Sequence, residues 1–80
     1  MPTILTEKGF RFFFFSREGK EPIHVHVEKG DGYAKFWLSP VRLAWSRGLR
    51  GYELTEIQRI IEEKKVMFEE SWDEHFSGKK

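Results

Sequence analysis

The chain has 80 residues, 39% of them hydrophobic, 34% charged and none cysteine, which excludes disulfides, thiolate metal ligands and thiol catalysis and leaves room for one thin core rather than two. The longest apolar run, Phe12 to Phe15, is far short of a membrane span, and Met1-Pro2-Thr3 carries no secretory pattern, so a cytoplasmic location and no membrane contact are expected. The net charge of +1 divides into +4 over residues 1–52 (nine Lys/Arg against five Asp/Glu) and −3 over residues 53–80 (five against eight), a basic portion joined to an acidic one.

The first half has strand character. Phe10 to Phe15 is an aromatic run preceded by a short Thr3–Leu5 segment, with Gly9 and the Ser16–Lys20 stretch supplying turns. A second hairpin is better specified, because His24–Glu28 and Tyr33–Leu38 flank Lys29-Gly30-Asp31-Gly32. With Asp31-Gly32 as a two-residue turn, Glu28 faces Lys35, Val27 faces Phe36 and His26 faces Trp37. Pro22 keeps the chain in a loop before this hairpin, Pro40 ends it, and Val41 to Trp45 form a last short strand.

In the second half, Leu54, Ile57, Ile61, Lys64, Phe68 and Trp72 recur at steps of three or four, with glutamates on the opposite face. The spacing predicts one amphipathic helix over 53–76, with Thr55 and Gln58 as a late capping box. The fold class is therefore α+β: a small antiparallel sheet of three to five strands within residues 1–47, and one long C-terminal helix packed on one face.

Alternation then assigns two sheet faces. Val25, Val27, Ala34, Phe36 and Leu38 meet the helix, joined by Phe12 and Phe14. The other face carries Arg11, Phe13, Phe15, His24, His26, Glu28, Tyr33, Lys35 and Trp37. Large aromatics on an uncovered face are a liability for a monomer. Three uses fit them: packing against the rest of the chain or a second copy in a homodimer, stacking of unpaired RNA bases between Arg11 and Lys35, or chemistry at the histidines. His24 and His26 point the same way, about 7 Å apart at Cα, so both imidazoles can meet one divalent metal or act as base and acid on an RNA phosphodiester. A third ligand would come from His75, Asp73 or Glu74. Apart from such a metal no cofactor is expected. Arg42, Arg47 and Arg50 are the first place to look for phosphate contacts.

Met1-Pro2-Thr3-Ile4, the Pro22–Val27 block with its Pro-x-His-x-His element, Ala34–Leu38 and the C-terminal helix with Trp72 together resemble the small bacterial proteins classed as domain of unknown function 4160. This chain has Ile23 where the family usually has a second proline, and Arg50 where it has a small polar helix cap. The resemblance implies no established activity. It does imply that the gene sits beside another small gene in a toxin–antitoxin-like pair. The expected function is accordingly an interaction module that binds a cognate small protein from the adjacent gene through Arg11, Phe13, Phe15, Tyr33, Lys35 and Trp37. The alternative is a small ribonuclease or metal-dependent hydrolase using His24 and His26.

Overall fold

A computed structural model of the chain describes residues 3–14 and 21–76. Five strands, β1 (Thr3–Glu7), β2 (Phe10–Phe13), β3 (His24–Lys29), β4 (Gly32–Leu38) and β5 (Val41–Arg47), precede two helices, α1 (Gly51–Glu63) and α2 (Lys65–Phe76). The strands form one antiparallel sheet in chain order, β1 to β5. No described helix is long and apolar enough to cross a membrane.

The turns explain the registers. Lys8 and Gly9 both take positive φ, 55° and 85°, the requirement of a type I′ hairpin whose twist matches its strands. In the β3–β4 hairpin the turn is Gly30-Asp31, because Lys29 pairs with Gly32. This moves the pairing two residues from the expected one: Glu28 faces Tyr33, Val27 faces Ala34, His26 faces Lys35 and His24 faces Trp37. An even shift leaves every side chain on its expected face. Gly32 is drawn into the ladder by close approach, since a Cβ there would lie 2.4 Å from Leu49 Cδ2 and 2.8 Å from the Gly48 carbonyl oxygen. Gly30, at φ 58° with open space around it, supplies the turn conformation instead.

Between β4 and β5 the chain reverses at Ser39-Pro40, whose peptide bond is cis. Ala44 is then an extra residue in β5, because Lys35 faces Trp45 while Phe36 faces Leu43. Such a bulge re-phases a strand. It sets Arg42 on the same face as Trp45 and Arg47.

The helices cover the expected face. Val25, Val27, Ala34, Phe36 and Leu38 pack with Phe10, Phe12 and Phe14 against Ile57, Ile60, Ile61, Phe68 and Trp72, and the Phe12 and Phe68 ring centres are 5.5 Å apart. The helical segment is two helices, not the single one expected, and it starts at Gly51. The break falls at Lys64, with φ −114° and ψ 23°. Lys64 occupies a position of the apolar stripe, where a straight helix would press a charge onto the core. Its ammonium instead reaches Glu7 Oε1 at 3.7 Å. The Thr55–Gln58 box does not form the cap: both residues lie inside α1, and Gln58 Nε2 donates to Glu62 Oε2. The N–H of Arg50 donates to Glu53 Oε1 at 2.8 Å instead, satisfying a backbone donor that the first turn leaves unpaired.

Candidate functional site

The register arranges the outer face in three cross-strand rows. The first runs Arg11, Glu28, Tyr33, Arg47; the second Phe13, His26, Lys35, Trp45; the third His24, Trp37, Arg42. The structure thus brings together all the expected site residues except Phe15, which lies outside the described residues. Arg42, Trp45 and Arg47 complete the rows. The strand expected from the sequence ends at Trp45, short of Arg47, and simple alternation would separate Arg42 from Trp45. Only the Ala44 bulge brings them to one side.

The face is not uniformly exposed, which corrects the expectation of an uncovered surface. Over β2 and β3 it is buried: Phe13 is 2% exposed, His24 0% and His26 2%. Aromatic and cationic neighbours close over these groups. The Arg11 guanidinium lies 4.3 Å above the Phe13 ring while bonding Glu28 Oε1 through Nη2 at 2.9 Å. Phe13 and Tyr33 stack on either side of His26, and His24 meets the edges of Trp37 and of Trp72 from α2, at 5.6 and 5.1 Å between centres. Phe13 is therefore a support of the face and not a contact surface.

The histidines are held by hydrogen bonds as well. Nδ1 of His24 donates to the Pro22 carbonyl at 2.9 Å; a carbonyl only accepts, so that nitrogen carries the hydrogen. Nδ1 of His26 is bonded to the Tyr33 hydroxyl. The two rings meet edge to face, with centres 5.0 Å apart. Among the described residues no three His, Asp or Glu side chains are grouped to hold a metal ion. His75 packs against Phe14 and Phe76. Among the described residues, a metal at this site would rest on His24 and His26 alone.

Over β4 and β5 the face opens. Trp45 is 49% exposed, and its ring centre lies 5.0 Å from that of Tyr33. Arg47 reaches over Tyr33, and Lys35 over Trp37. Lys35 is neutralised by Glu21 at 2.8 Å, as Arg11 is by Glu28. Arg42 and Arg47 are exposed, and no described carboxylate is paired with either. The exposed part is therefore aromatic in the middle and positive at both ends.

A cleft of about 450 Å³ on the other side, between the Lys8-Gly9 turn and the start of α1, has Phe10 in its lining. Its charges are mutually satisfied, through Lys8 with Glu56 at 2.9 Å, Arg59 with Glu56 at 3.2 Å and Lys29 with Glu53 at 3.6 Å. The hydrogen bond from Lys8 holds the Glu56 carboxyl below its ordinary value, helped by the nearby Arg59 charge.

The model of one protein family, described as Domain of unknown function (DUF4160), matches residues 9–73. No curated protein and no solved structure matches the chain.

Proposed function

Starting from the fact that the chain belongs to this family of unknown function, we propose that it is a protein-interaction module whose contact surface is the open β4–β5 part of the outer sheet face. The carrying observation is Trp45, half exposed at the β5 end of the second row, with Tyr33 against its ring, Trp37 one row away on β4, and Arg42 and Arg47, which no described carboxylate pairs, before and after it along β5. Trp, Tyr and Arg are the side chains that dominate binding energy at protein interfaces, each giving large contact area or bidentate bonding for little lost freedom. The resemblance to toxin–antitoxin-like pairs supplies the partner: a cognate small protein encoded by the adjacent gene. The hydrolase alternative draws no support from the geometry, because both imidazoles are buried.

Co-expression with the adjacent gene product, followed by co-purification and titration, tests the proposal. Trp45→Ser should remove complex formation and leave the circular dichroism spectrum unchanged. Undiminished affinity in that variant would refute the module. RNA cleavage by the wild type that disappears in His24→Ala would favour the hydrolase.

A further inference from the structure

β5 is the last strand of the sheet, hydrogen-bonded among the described residues to β4 on one side only. A strand in that position presents a row of backbone donors and acceptors to any chain able to pair with it. Its composition selects among such chains. Between Asp31 and Glu53 the sequence contains Lys35, Arg42, Arg47 and Arg50 and no acidic residue. Of the cations on the outer face, Lys35 and Arg11 are paired with glutamates, whereas no described carboxylate is paired with Arg42 or Arg47.

From these features we infer that the free edge of β5 receives an extended acidic segment of the partner protein as a sixth strand. This rests on the interaction-module reading and specifies the chemistry of its partner. β4 gives the spacing. It is an unbulged strand beside β5, and it covers the interval from Arg47 to Arg42 with the four steps from Tyr33 to Trp37, about 13 Å. A regular incoming strand therefore meets both guanidinium groups with carboxylates at positions i and i+4, which an extended chain holds on one face. The residue midway, at i+2, falls beside Trp45, where an aromatic or aliphatic side chain covers the exposed indole.

The same features discriminate against other occupants. Two copies of this chain joined edge to edge about a two-fold axis near Ala44 would set the arginines at positions 42 and 47 of the two copies against each other, and like charges directly opposite are destabilising. A nucleic acid strand finds only two uncompensated cations on β5, and phosphate binding grows with the number of such contacts. It also makes no use of the backbone ladder.

The test uses the full chain and short synthetic peptides of alternating threonine and valine, with glutamates at i and i+4 and phenylalanine at i+2. Binding is read from the chemical shifts of the β5 amides and the Trp45 indole. The glutamate peptide should bind about tenfold or more tightly than a counterpart with lysines at the same positions, and than one N-methylated on the edge facing β5. The double variant Arg42→Glu with Arg47→Glu should reverse the preference and take the lysine peptide. Equal affinity for the glutamate and lysine peptides, or full affinity of the N-methylated one, would overturn the inference. So would tighter binding of a uridine-rich single-stranded oligonucleotide than of the glutamate peptide. If the glutamate peptide fails while the adjacent gene product binds and requires Trp45, the acidic strand falls and the module stands. If that product binds Trp45→Ser unchanged, both fall.

Discussion

Replacing Gly32 with alanine separates two roles a glycine can have in a hairpin. A turn glycine is sensitive to backbone angle, a close-approach glycine to volume. Gly32 is of the second kind, because an added methyl would sit 2.4 Å from Leu49 Cδ2 and 2.8 Å from both Leu49 Cγ and the Gly48 carbonyl oxygen. Leu49 is packed against the core, so rotating it away forfeits part of a leucine's burial, about 1–2 kcal/mol. The carbonyl is backbone and yields only if the segment after β5 moves, about 1–3 kcal/mol by comparison with overpacked cores. Together Gly32→Ala should cost about 2–5 kcal/mol, a large fraction of the stability of a small domain. Gly30→Ala meets no neighbour within 4 Å and bears only its positive φ, about 1–2 kcal/mol, while Gly30→Asn should be milder still. Urea unfolding followed by tryptophan fluorescence measures all three. In the double variant Gly32→Ala with Leu49→Ala, part of the clash disappears and the two changes should be less than additive, by roughly 0.5–3 kcal/mol. A Gly32→Ala variant no less stable than Gly30→Ala, or strictly additive changes in the pair, would refute the steric reasoning and the register that rests on it.

Two further outcomes follow from the site. Tyr33→Phe removes the hydroxyl bonded to the buried His26 ring and should destabilise the fold by about 1–3 kcal/mol in the same assay, because a buried imidazole nitrogen loses a partner it cannot replace with water. Glu56, lowered from 4.5 chiefly by the Lys8 hydrogen bond, adds stability that is fully present above 4.5 and lost as pH falls through its lower folded value. Glu56→Gln should therefore flatten the decline in urea midpoint below that pH, and an unchanged acid limb would show that the carboxylate contributes nothing.

Most of the architecture follows from periodicity. Period-two patterning identified the core-facing residues of β3 and β4, and the three-to-four spacing placed the helical segment to within a few residues. Three features lay beyond pattern. The hairpin register depended on Leu49 and Gly48 packing over Gly32, a contact across seventeen residues that leaves no trace in the local Asp31-Gly32 signal. The helix breaks at Lys64, a charge on the apolar stripe whose counterion Glu7 comes from β1, far away in the sequence. The candidate site was half legible. Alternation put Arg11, Phe13, His24, His26, Tyr33, Lys35 and Trp37 on one face, but burial depends on what packs over a residue, so the histidines read as available when they are enclosed. Trp45 and the two flanking arginines were obscured by the one-residue bulge, which no propensity at Ala44 announces.

The chain-order arrangement of the strands bears on how the protein comes into being. Every strand pairs with its immediate predecessor, so no pairing waits for a distant segment, and folds dominated by such local contacts form quickly. During synthesis the sheet can assemble hairpin by hairpin from the N-terminus. α1 and α2 emerge last, yet they supply the residues that close over Phe12, Val27 and Phe36. For that interval the nascent sheet has one greasy side uncovered, and a chain truncated before Gly51 would remain in that state, a substrate for chaperones and proteases.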